Sequence, residues 1–287
     1  MNRSSLTAVV VAALALAGCG GDGKDKQHAT TSASQPKDVL AQSRHADKLR
    51  KLSTAAATAG GGGVDLQVYD NDLASMVDSI NAYWRAEYAS SGEPGAYKPP
   101  HDVIAYAGGD SQPTCGGAPP APMNAFYCSN PDLIAWDEKN LLIPYYRDKG
   151  DLAVGIILAH EWGHLIQQRL GLQFKYTIEA ELHADCLAGA WLGEVEAEGL
   201  LDGKAPGAGG DIDEAIDAIF SVGDPPNTPF EDPQAHGPPQ ARVDALGVGY
   251  DGGLDACGKE YGPGFSTQAG SPVKPSNSAK ADVIGGP

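Results

Sequence analysis

His160-Glu161-Trp162-Gly163-His164 sits inside an apolar run, Asp151 to Leu170. Residues four apart on an α-helix lie one above the other, so His160 and His164 can aim both imidazoles at one point. Two nitrogen ligands fixed on a rigid helix suit Zn²⁺, which binds histidine at about 2.0–2.1 Å. Glu161, one residue after the first ligand, projects beside the metal, where a carboxylate can take a proton from water activated there. The spacing alone also fits an amphipathic helix with two surface histidines. A third ligand elsewhere in the chain distinguishes the two.

Ile178 to Trp191 carries no proline and reads as a second helix. Glu181 and Asp185 share one face of it. A catalytic zinc takes three protein ligands and keeps a fourth position open, and Glu181 supplies the third. Asp185, one turn on, is placed to accept a hydrogen bond from a ligating histidine and so fix its tautomer. Read blandly, both acids belong to a solvated helix face, and we place Glu179 and His183 on that face.

These residues carry a resemblance. His160-Glu161-x-Gly163-His164 with Gln167, followed by Glu181-Leu182-x-Ala184-Asp185-Cys186-x-Ala188-Gly189-x-Trp191, resembles the bacterial neutral zinc metallopeptidase family. That family is one of the zincins whose third ligand is glutamate. Weaker echoes are Ala125-Phe126-Tyr127-Cys128 and His236-Gly237-Pro238-Pro239-Gln240-Ala241-Arg242, where Pro238-Pro239 replaces small polar residues. The resemblance spans residues 115 to 257. It implies an α+β, zincin-like fold: a small sheet packed on the active-site helix, a mostly helical C-terminal half, and an edge strand able to pair with substrate. It also implies a Zn²⁺ cofactor on His160, His164 and Glu181, Glu161 as general base, and a peptide or protein substrate. His236 or Tyr176 is a candidate donor to the oxyanion of the tetrahedral intermediate. The alternative is a lipoprotein that keeps zinc for binding or scaffolding without turnover.

The chain's ends point to export. Arg3 precedes the apolar stretch Leu6 to Ala17, which is too short for an ordinary membrane span. It ends in Leu16-Ala17-Gly18-Cys19, similar to a bacterial lipobox, with cleavage before Cys19 and lipid on its sulfur. The expected organisation is a leader at 1–18, a lipidated tether at 19–63, one domain at 64–265 and a tail at 266–287. The protein would then be anchored to a bacterial membrane, facing away from the cytoplasm.

With Cys19 lipidated, Cys115, Cys128, Cys186 and Cys257 remain. An even count in an exported chain suggests two disulfides with three possible pairings. Pairing Cys115 with Cys128 closes a short Gly/Pro-rich loop and leaves Cys186 for Cys257. Net charge is −17, an acidic balance that argues against nucleic acid as a partner.

Periodicity places helices at Asp70–Tyr88, Glu138–Lys149, Asp151–Leu170 and Asp211–Val222, and another from Pro238-Pro239 through Leu246. Strands are expected at His101–Ala107 and Asp132–Asp137, with the Cys115–Cys128 segment as a loop between them. The stretch Gly223 to Pro233 holds four prolines and reads as irregular.

Overall fold

The computed structural model describes residues 63–90, 97–107, 113–204 and 207–262. The leader, Cys19, nearly all of the expected tether and the expected tail lie outside the described residues. Among the described residues the fold is α+β. Its order is α1 (Leu66–Ser90), β1 (Asp102–Tyr106), β2 (Ala125–Ser129), β3 (Asp132–Asp137), α2 (Ile143–Lys149), α3 (Asp151–Leu170), α4 (Thr177–Ala197), α5 (Asp211–Ser221) and α6 (Pro239–Glu260). No helix among them is long and apolar enough to cross a membrane.

The core is built on α3 and α4, which are apolar on nearly every side and buried along most of their length. A helix apolar all round must be enclosed by other elements, and here α1, α5, α6 and the sheet enclose the pair. Trp162, between the two motif histidines, points away from them into this core, where its Nε1–H donates to Tyr97 Oη at 3.0 Å. Trp191 does the same for α4, donating to Ser79 on α1 at 3.1 Å. Both indoles are fully buried, and a buried indole N–H needs such a partner.

The sheet has order β1-β3-β2, with β1 parallel and β2 antiparallel to the central β3. Ala125–Ser129, read from sequence as the end of a loop, is therefore a strand. It is an edge strand, and it packs on α3. Asp132 ends the short turn after it and receives Arg169 from the last turn of α3 at 2.7 Å, which ties the hairpin to that helix.

Three helices differ from their expected bounds. α1 begins at Leu66 because Asp65, not Asp70 to Asp72, caps it, its Oδ1 accepting Gln67 N at 3.0 Å. Glu138–Leu142 forms a wider π-helical turn before α2 instead of joining it in one helix. α6 runs to Glu260, well past Leu246, with a kink at Gly253. Glycines of α4 and α6 serve as contacts between the two helices. A Cβ on Gly249 would lie 1.8 Å from Cys186 O, and one on Gly189 would lie 2.0 Å from Leu246 O. Backbone packs on backbone there, which only glycine permits.

Two disulfides fasten this arrangement. Cys115–Cys128 holds the proline-rich loop to β2, and Cys186–Cys257 joins α4 to α6. The second spans 71 residues, a loop whose closure constrains the unfolded chain by about 4 kcal/mol in the chain-entropy account.

Candidate metal centre

α3 and α4 cross where Gly163 meets Ala184. A Cβ on Gly163 would lie 2.9 Å from the Ala184 Cα, so the glycine inside the motif sets the distance between the two helices. At that distance Glu181 reaches both histidines. Its Oε2 lies 3.1 Å from His160 Nε2 and its Oε1 lies 3.3 Å from His164 Nε2, while the two Nε2 atoms are 3.1 Å apart. All three residues are at most partly exposed, His160 and Glu181 being buried.

The far side of each ring decides what these atoms can do. His160 Nδ1 is 2.7 Å from Asp185 Oδ1. A carboxylate only accepts, so Nδ1 carries the proton and Nε2 presents a lone pair. His164 Nδ1 is 3.1 Å from Gln167 Oε1, which also only accepts. The centre is then three acceptors facing one another, and the buried Glu181 Oε2 has no donor aimed at it. Such a set is unfavourable without a cation between its members. Ligands of a tetrahedral ion at about 2.0–2.1 Å lie about 3.3 Å apart, close to the separations found here, so nitrogen, nitrogen and carboxylate oxygen fit zinc.

Without a metal, a proton takes that place. Burial disfavours the imidazolium of His160, but Asp185 and Glu181 outweigh it and hold the group up at about 10. His164 is also raised, against the same burial, chiefly by Glu181. For Glu181 burial works upward, yet the two histidines hold its carboxyl well below the usual range.

The profile of the family described as "Putative neutral zinc metallopeptidase" matches residues 33–258, more than three quarters of the chain. The chain belongs to that family. Over 174 residues it is 28% identical to a relative named "Uncharacterized protein YpfJ" from Escherichia coli K12. That stretch covers 51% of this chain and 57% of the relative, and the same figures hold for the protein of that name in Escherichia coli O6:H1. The match thus spans little more than half the length of these curated relatives. No solved structure matches significantly.

Around His160, His164 and Glu181 lies a cleft of about 990 Å³. One stripe of α3 forms its floor: Ile157, His160, Glu161, His164, Gln167 and Gln168. Glu161 lines the cleft and is buried, its Oε2 accepting the Tyr127 backbone N–H of β2 at 2.9 Å. Tyr176 and His236 also line the cleft, on the loops before α4 and α6. The His236 ring is half exposed, with Nδ1 3.5 Å from Asp224 Oδ1, and Asp224 Oδ2 accepts the His236 N–H at 2.8 Å.

Sequence reasoning gave Arg242 no role and misplaced Glu179 and His183. Arg242, 57 residues beyond Asp185, clamps that carboxylate with Nε to Oδ2 and Nη2 to Oδ1, both at 2.8 Å. Burial opposes the charged form of Asp185, but Arg242 and then His160 hold its carboxyl below the usual range. Glu179 and His183, placed on a solvated face, are both buried. Glu179 turns back to cap α4, Oε2 accepting Lys175 N at 3.0 Å and Tyr176 N at 3.3 Å. His183 meets Gln167 and the Phe174 ring. The assumption of a solvent face failed because α4 has almost none.

Proposed function

We propose that this protein is a zinc-dependent endopeptidase, anchored through a lipidated Cys19 on the outer side of a bacterial membrane. The observation that carries the reading is the set of three converging acceptors, His160 Nε2, His164 Nε2 and Glu181, in a cleft that Glu161 also lines. A purely structural zinc site closes itself with four ligands and has no use for an adjacent carboxylate. That weighs against a binding lipoprotein without turnover.

Zinc held by these residues supplies Lewis acidity, activating water near neutral pH and polarising a carbonyl. The chain's own groups do the rest. Tyr127 N–H fixes one Glu161 oxygen and leaves the other to take the attacking water's proton and pass it to the leaving amine. His236, steadied by Asp224, and Tyr176 are the cleft's candidates for a donor to the oxyanion. On β2, the Tyr127 N–H faces away from β3 but is taken by Glu161, which leaves the other outward backbone groups of this edge strand for a substrate. An extended peptide can pair with such an edge.

The floor's extent supports cleavage within a chain, as opposed to trimming of its ends. Ile157 to Gln168 covers about 16 Å of helix at 1.5 Å per residue, room for about five extended residues at 3.3 Å each. The ligands lie mid-way along it. The test is turnover of an unfolded protein substrate by membrane and soluble fractions, with Glu161→Gln as the comparison. The variant should keep its zinc and lose about 10²–10⁴-fold in rate. Equal rates would remove the mechanism, and activity that stays soluble in wild-type cells would remove the anchor.

A further inference from the structure

We propose that Gln167 and His183 form a neutral relay that positions His164, giving the zinc centre one charged arm, Asp185–Arg242 behind His160, and one uncharged arm. The argument rests on the reading of His164 as a ligand, and starts from which atoms can only accept. Gln167 Nε2 lies 2.7 Å from the Ala180 carbonyl oxygen. A carbonyl cannot donate, so this end of the amide is the NH₂ group, and the opposite end, 3.1 Å from His164 Nδ1, is the oxygen. An amide whose two ends are otherwise hard to tell apart is thereby oriented by its neighbours. His164 must donate from Nδ1, and its Nε2 lone pair is committed to the centre.

The second N–H of the same amide points to His183 Nδ1 at 3.2 Å. That ring therefore accepts at Nδ1 and carries its proton on Nε2. His183 is buried, with its ring against Phe174 at 5.4 Å between centroids. The Gln167 amide is thus engaged at both ends, Oε1 by His164 and Nε2 by Ala180 O and His183, and the carbonyl alone fixes its orientation. Ala180 immediately precedes Glu181, so the relay also fastens α3 to the turn of α4 that delivers the third ligand. Gln167 and His183 are positioning residues: neither reaches the reacting atoms.

An uncharged arm has a chemical consequence. A carboxylate behind a ligating histidine makes that ligand more basic, and the centre already holds Glu161, Glu181 and Asp185 within one buried region. An amide orients His164 without adding a fourth negative charge.

The experiment reads tautomers directly. Full-length protein, solubilised and labelled with ¹⁵N-histidine, is loaded with zinc and its ring nitrogens assigned by long-range ¹H–¹⁵N correlation. The expected result is a proton on Nδ1 of His164 and on Nε2 of His183. Chelator competition then compares Gln167→Leu, Gln167→Asn and His183→Leu. Gln167→Leu should weaken zinc binding about 10–100-fold. His183→Leu should cost only a few-fold, because Ala180 still orients the amide, and Gln167→Asn should fall between. A proton on His183 Nδ1, or zinc affinity in Gln167→Leu within threefold of wild type, overturns the relay. Neither readout depends on turnover, so an inactive protein that still shows this pattern would count against the proposed peptidase and leave the relay standing. Where Gln167→Leu fails to fold, the wild-type tautomers alone decide.

Discussion

Arg242→Met tests whether the charged arm is built as described. Methionine fills much of the same volume without a donor, so the change removes the bidentate clamp on Asp185 and the Nη1 bond to Val222 O at 3.1 Å. Asp185 is fully buried and Arg242 nearly so. Solvent therefore cannot replace the lost charge, and breaking one side of such a pair costs about 3–5 kcal/mol. For a domain of this size a kilocalorie shifts the melting temperature by about 2–4 °C, which predicts a drop on the order of 10 °C or more. Zinc affinity should fall about 10–100-fold, because Asp185 orients His160 only while its own oxygens are held. Asp185→Asn keeps an acceptor for His160 but strands the arginine, and should be similarly destabilised. The double variant carries no buried charge at either position, so the two losses should not add, with a coupling of at least about 1.5 kcal/mol. Calorimetry of the four proteins without metal, then with zinc, measures each step. Melting of Arg242→Met within about 2 °C of wild type, or additivity within about 0.5 kcal/mol, would refute the assignment.

Without metal, the raised His160 contributes stability that is complete below its unfolded value of about 6.5 and is lost as pH rises toward about 10. The depressed Glu181 and Asp185 contribute above their unfolded values of about 4 and lose it as pH falls through their folded ones. The metal-free protein should therefore melt highest between about pH 4.5 and 6.5, and the gain from added zinc should widen from pH 5.5 to 8, because the proton that zinc displaces from His160 is released more readily as pH rises. A metal-free melting temperature that climbs from pH 6.5 to 9 would contradict this. Cys186→Ala/Cys257→Ala should cost about 4 kcal/mol and weaken zinc binding at temperatures below the melt, because Cys186 adjoins Asp185 on α4. Unchanged zinc affinity in the folded double variant would show that the bridge stabilises the domain without supporting the centre.

What was legible in the sequence is what a single helix can encode. His160 and His164 fall on one face because of a four-residue spacing, and Glu181 and Asp185 for the same reason. The pairing of Cys186 with Cys257 followed from the short loop that the other two cysteines enclose. What was not legible depends on contacts between distant segments. β2 is five residues beside a proline-rich loop, too short for alternation to register, and becomes a strand because β3 pairs with it. The length of α6 past Leu246 was hidden because it rests on α4, a distant segment, pressed against Gly249. The protonation logic of the centre was hidden in the same way. The motif names its ligands, but Nε2 of each histidine is a lone pair only because Asp185, clamped by Arg242, and Gln167, oriented by Ala180, take the proton on the other side. A chain that kept His160, Glu161, His164 and Glu181 but lost those supports would still match the pattern. Its imidazoles would be free to turn or to keep the proton that competes with the metal. The spacing finds where a metal can sit, and the buried partners from α4 and α6 determine whether the three atoms are ready for it.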